Sequence, residues 1–130
     1  MKTILLIDQD KDVRDTLSLL LENEGYAVKK VATENEGFAH HQAFPASVVI
    51  TDIVDFPHGR KVPIERWGKH SPIVPVIAMS ATIPFGDREN ENWQCTVNPV
   101  RTLQKPFTVD ELLQTIQTVL PKHIVEEKYQ

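Results

Sequence analysis

Ile4-Leu5-Leu6-Ile7-Asp8 sets four apolar residues before an acid, and the same order of residue types returns three times along the chain. Val48-Val49-Ile50 runs into Thr51-Asp52, Val76-Ile77-Ala78-Met79 into Ser80, and the weaker Val100-Arg101-Thr102-Leu103 into Gln104-Lys105-Pro106-Phe107. Short unbroken apolar runs mark strands buried on both faces, as in parallel sheets. Ligands of open α/β sheets gather outside the carboxyl ends of such strands. Asp8, Asp52, Ser80 and Lys105 are therefore expected around one pocket.

The stretches between these runs supply helices. Val13, Leu17, Leu20 and Leu21 recur at helical spacing, with Arg14, Asp15 and Ser18 marking the wet face and Asp10 better placed than Asp8 as the cap. Gly25 stops that helix, residues 26–31 read as the second strand, and residues 34–44 as a weakly patterned second helix ending before Pro45. His40 and His41 on that helix read as surface. The third strand spans residues 47–52, followed by a loop with Pro57 and Gly59 and a short helix near residues 64–70. Residues 75–80 form the fourth strand and residues 81–99 the least regular segment, with a short helix at 87–95. Val100–Gln104 is the fifth strand. Thr108 with Glu111 three residues later is a capping box, and Val109, Leu112, Leu113, Ile116, Val119 and Leu120 give the last helix its buried stripe. Strands alternating with helices predict an α/β fold: a doubly wound, five-stranded parallel sheet, flavodoxin-like, in the order 2-1-3-4-5.

A chain of 130 residues fits one domain, read as residues 1–121 with a polar tail at 122–130. Its net charge of −4, with basic residues scattered, argues against a direct, sequence-independent grip on nucleic acid. The single cysteine, Cys95, excludes an internal disulfide, fits a reducing compartment, and reads as structural because no nearby His or basic residue marks an activated thiolate. The apolar run at residues 4–7 is too short for a signal peptide core, and nothing approaches the length of a membrane span. A cytoplasmic protein with no membrane partner is the expectation.

Two acids, a hydroxyl and an ammonium facing one another form a phosphoryl-transfer set. Their order here, with Asp8 after strand one, Asp52 after strand three, Ser80 after strand four and Lys105-Pro106-Phe107 after strand five, resembles the receiver domain of two-component response regulators. The resemblance runs from Thr3 to Leu120 and is strongest in Ile-Leu-Leu-Ile-Asp with Arg14 six residues on, in Val-Ile-Thr-Asp-Ile, and in Lys-Pro-Phe before a capped helix. It implies a signalling phosphoacceptor rather than an enzyme. Asp52 would take a phosphoryl group from a histidine kinase or a histidine phosphotransfer protein, with Ser80 on the phosphoryl oxygens and Lys105 on the phosphoryl charge. The resemblance also implies Mg²⁺ organised by Asp8, Asp52 and the Val54 carbonyl, with Gln9 where the family usually has a second acid, and a cis bond between Lys105 and Pro106. Output partner and pathway are not legible, and a homodimer stays open.

Read singly, each residue has a plainer role: Asp8 as a helix cap, Asp52 as a turn former, Ser80 as a loop hydroxyl, Lys105 as a solvated charge. Three departures stand out. Gln9 removes one metal-ligand charge. In the loop after Asp52, Pro57 and Gly59 are each displaced by one position, and Asp55 and His58 are atypical occupants; a loop histidine is usually plain surface. Thr102 stands where receivers commonly carry an aromatic that responds to phosphorylation. These departures favour a degenerate receiver that acts as an interaction module without phosphate. Asp8-Gln9-Asp10 also resembles the Asp-x-Asp opening of haloacid-dehalogenase-type phosphatases, a reading that leaves Asp52 and Lys-Pro-Phe unexplained.

Overall fold

The apolar runs become a single parallel sheet. The structure, a computed structural model, describes residues 2–52, 74–80 and 100–120, with the backbone alone for Ser80 and Val100. Strands β1 (Thr3–Ile7), β2 (Ala27–Val31), β3 (Val48–Asp52), β4 (Val76–Ser80) and β5 (Val100–Gln104) lie in the order β2-β1-β3-β4-β5, every neighbouring pair parallel. The expected fold class and strand order are both found. Helices α1 (Lys11–Asn23), α2 (Glu34–Ala43) and α3 (Val109–Val119) complete the described elements.

Side chains alternate across a strand, so each apolar run feeds two cores. On one face Ile4, Leu6, Val48, Ile50, Ile77, Met79 and Leu103 pack with Leu17 and Leu21 of α1 and with Leu112, Ile116 and Val119 of α3. The opposite face carries Leu5, Ile7 and Val49, all buried, and is approached by α2. That approach is close: a Cβ built on Gly37 would lie 2.6 Å from Ile7 Cδ1. Burial from both sides explains why the central strands alternate so little in sequence.

Helix ends follow local chemistry. Asp10 caps α1, its Oδ1 accepting from the amides of Asp12 at 2.9 Å and Val13 at 3.2 Å. Gly25, at φ +100°, turns the chain out of α1 toward β2 in a conformation that favours glycine. Capping boxes of Thr33 with Glu36 and of Thr108 with Glu111 open α2 and α3.

Three expectations are corrected. Ser18 is buried rather than wet, because it lies three residues before the buried Leu21 on the same helical face. Val109 is 42 % exposed although it keeps the apolar spacing of α3; as the first helical residue it stands at the rim, where the sheet runs out. His41 is fully buried, not on the surface, and its Nδ1 accepts a 3.0 Å hydrogen bond from the Ala46 amide, closing the turn from α2 into β3. The loop with Pro57 and Gly59, the helix near 64–70, the segment 81–99 with its helix at 87–95 and with Cys95, and the tail 122–130 lie outside the described residues. No helix among the described residues is long and apolar enough to cross a membrane.

Candidate functional site at the carboxyl edge of the sheet

In-register parallel pairing brings the strand ends to one rim. Ile7 stands beside Thr51, Asp52 beside Met79, and Ser80 beside Gln104, so the residues that follow the apolar runs emerge together. Asp8 extends the ladder by one step, its amide donating to the Val31 carbonyl at 3.2 Å. Its side chain is 2 % exposed, and Oδ1 accepts from the Asp10 amide at 2.9 Å. Arg14, one turn into α1, donates from Nη1 to the carbonyls of Asp8 at 2.9 Å and Gln9 at 3.3 Å, anchoring this loop to the helix.

Lys105 closes the cluster. It follows β5 directly, its peptide bond to Pro106 is cis, and its Nζ lies 3.0 Å from Asp52 Oδ1 and 3.3 Å from Asp8 Oδ2. One ammonium thus serves two carboxylates, and the group carries an excess negative charge. Burial, with the nearby Asp8 charge, pushes the Asp52 carboxyl above the usual carboxylate range against the opposing pull of Lys105. Burial works against the Lys105 cation too. There the hydrogen bond and charge of Asp52, joined by Asp8, outweigh it and hold the ammonium above the ordinary lysine value. Lys105 is therefore a permanent cation at neutral pH, its side chain 24 % exposed toward the rim.

Of the residues expected at the site, Asp8, Asp52 and Lys105 are brought into contact. Gln9 is exposed, with its carbonyl held by Arg14. Ser80 ends β4 beside Gln104, at the same rim, and the Val54 carbonyl, Asp55 and His58 lie outside the described residues. Asp10 spends its carboxylate on the α1 cap. Thr102 is exposed on the edge strand β5. Two features went unread in the sequence. Arg14 was noted for its spacing from Asp8 and placed on the wet helix face, but not read as the residue that fastens the Asp8 loop. Thr51, 1 % exposed, donates its hydroxyl to the Glu34 carboxylate of α2, next to Asp52; a hydroxyl inside an apolar strand was the available signal.

Among the described residues no group of three or more His, Cys, Asp and Glu side chains is arranged to hold a metal ion. Two hard carboxylate oxygens, Asp8 Oδ2 and Asp52 Oδ1, do converge on one cationic position, here taken by the Lys105 ammonium. That donor set fits a hard divalent cation with less charge than a complete acid pair would bring.

Comparison with known proteins gives the same picture. A response regulator of Rickettsia bellii described as NtrX-like is 26 % identical over 114 residues, covering 85 % of this chain and 23 % of that protein. The transcriptional regulatory protein PmrA of Pectobacterium parmentieri is 27 % identical over 120 residues, 92 % of this chain and 53 % of the other. The chain thus spans about half of one relative and about a quarter of the other. Among solved structures, the response regulator protein TrrA, determined in complex with the histidine kinase ThkA, superposes with a TM-score of 0.72 at 22 % identity, covering 93 % of this chain and all of that one. The family model described as the response regulator receiver domain matches residues 4–117, and with the sheet order and the rim of acids and lysine this shows that the chain belongs to the receiver domain family of response regulators.

Proposed function

We propose that Asp52 accepts a phosphoryl group from the phosphohistidine of a histidine kinase or histidine phosphotransfer protein, in a domain occupying residues 1–121. The observation that carries this reading is the Lys105 ammonium, shared by Asp52 at 3.0 Å and Asp8 at 3.3 Å at the carboxyl edge of the sheet. In the transfer an Asp52 carboxylate oxygen bonds to phosphorus as the phosphorus–nitrogen bond of the donor breaks. Charge spread over the remaining phosphoryl oxygens then needs fixed cations and donors. Lys105 supplies the charge, and the Ser80 hydroxyl donates to the same oxygens. The burial that raises the Asp52 carboxyl also keeps water from screening these contacts.

Mg²⁺, when held by Asp8, Asp52, the Gln9 amide oxygen and the Val54 carbonyl, would neutralise phosphoryl charge. Receiver domains are signalling modules, and any catalysis here is confined to the domain's own phosphorylation and dephosphorylation. The kinase-bound TrrA supports a histidine kinase partner, and the regulators that share this chain's sequence support signalling in a phosphorelay. An exposed Gln9 in place of a second acid favours the other reading, a degenerate receiver that binds partners without phosphate.

Intact-mass analysis and phosphosite mapping with a small-molecule phosphodonor and Mg²⁺ separate the two. The expected result is a gain of one phosphate, mapped to Asp52, absent in Asp52→Asn, and slowed roughly 10²–10³-fold in a folded Lys105→Ala variant. No gain in the folded native chain would establish the degenerate reading. A gain abolished only by Asp8→Asn would establish the phosphatase-like one.

A further inference from the structure

Beside the acid rim, an open groove of about 580 Å³ wraps the outer edge of β2. Its lining holds the cations Arg14, Lys29 and Lys30, the imidazole of His40 and, among the described residues, a single carboxylate, Glu36, in a chain whose net charge is −4. β2 is the edge strand, and alternation along it sends Lys30 toward α1 and Lys29 toward α2, so the cations approach the groove from both faces of the sheet. Glu36 keeps its negative charge but is held in the α2 cap, where its Oε1 accepts from the amides of Thr33 at 3.2 Å and Ala32 at 3.1 Å. Lys30 pairs with Asp15 at 2.8 Å, outside the lining, while Lys29 has no ion pair among the described residues. Arg14 uses one nitrogen, Nη1, for the Asp8 and Gln9 carbonyls, which leaves the remainder of its planar fork for a ligand. Lysines on an edge also discourage pairing with another strand, but that task does not call for an arginine and an imidazole around a groove.

We propose that this groove binds a small phosphate-bearing molecule with at least two anionic groups. The Arg14 guanidinium offers the paired N–H geometry that matches phosphate oxygens, and Lys29 adds a point charge from the other side of the strand. The volume falls within the range of small-ligand sites. Because Arg14 also holds the Asp8–Gln9 loop, the ligand would touch the segment that carries one acid of the rim.

The test is titration of the full chain, free of metal, with inorganic pyrophosphate, followed by calorimetry and by amide chemical shifts, with citrate as a carboxylate control. Saturable binding that shifts the amides of Lys29, Lys30 and Ala32, weakens about tenfold or more in Lys29→Gln, and exceeds citrate binding is the expected result. Lys29 is exposed, so this variant should keep the native melting temperature. Absent binding, binding indifferent to Lys29→Gln, citrate binding of equal strength, or shifts centred on Asp8, Asp52 and Lys105 would each overturn the proposal. The outcome does not depend on whether Asp52 accepts phosphate.

Discussion

The middle of the sheet and its carboxyl rim are built by the same strands and hold opposite energies. Ile4, Leu6, Ile50 and Ile77, and Ile116 of α3 packed on that face, have no solvent exposure, and each such side chain contributes roughly 1.5–3 kcal/mol by leaving water. One residue past the ends of β1 and β5 and at the end of β3, Asp8, Lys105 and Asp52 crowd two carboxylates onto one ammonium, and burial disfavours the ionised Asp52. The middle is stabilised by what it buries. The rim is held in place against its own electrostatics, and this keeps a desolvated carboxylate beside a cation.

The largest expected effect lies in the middle. Ile116→Ala removes a fully buried side chain between α3 and the sheet and should cost about 2–5 kcal/mol in urea unfolding. A loss below 1 kcal/mol would mean that α3 is not a true wall of the core. Next comes the other face, where α2 docks by closeness rather than by an apolar stripe. Gly37→Ala would drive a methyl to 2.6 Å from Ile7 Cδ1, and it should destabilise by about 1–3 kcal/mol despite the better helix propensity of alanine. A stabilised variant would show that Ile7 has room to yield.

The smallest effect has the opposite sign and belongs to the rim. Asp52 has a folded pKa raised above its unfolded value of about 4, so the native state holds that proton more tightly. Its contribution is present in full below the unfolded pKa and is lost as pH rises through the folded value. Asp52→Asn removes this loss, and in metal-free buffer the variant should melt roughly 2–5 °C above the native chain at neutral pH. The advantage should shrink as the pH is lowered toward 4. A variant less stable at pH 7 would show that the Lys105 contact outweighs the burial of Asp52, and the contrast between middle and rim would fail.

The strands and the polar residues that end them, including the Asp8, Asp52 and Lys105 that meet at the rim, were legible because each is local: an apolar run followed by a polar residue is a property of five or six neighbours, whereas the strand order follows from the alternation of strands and helices along the whole chain. The caps at Asp10 and Thr108 answer to the same short range, as does the Thr33 cap, which went unread. His41 and Ser18 were misread because composition marks them as polar, whereas their surroundings are decided by where α2 and α1 land on the sheet. Val109 failed in the reverse direction, apolar in pattern but placed at the rim. Gly37 carried no sequence signal for the 2.6 Å approach that its missing Cβ permits.

Residue order alone determined that this chain makes a parallel sheet with acids, a hydroxyl and a lysine at its strand ends, since periodicity and capping act within a few residues of one another. Only the tertiary structure decided that Lys105 reaches Asp8 across 97 positions, that Arg14 fastens the Asp8 loop, and that cations from both faces surround the β2 edge. Charges attract or repel according to distance and burial, and both of these exist only once the strands have been laid side by side.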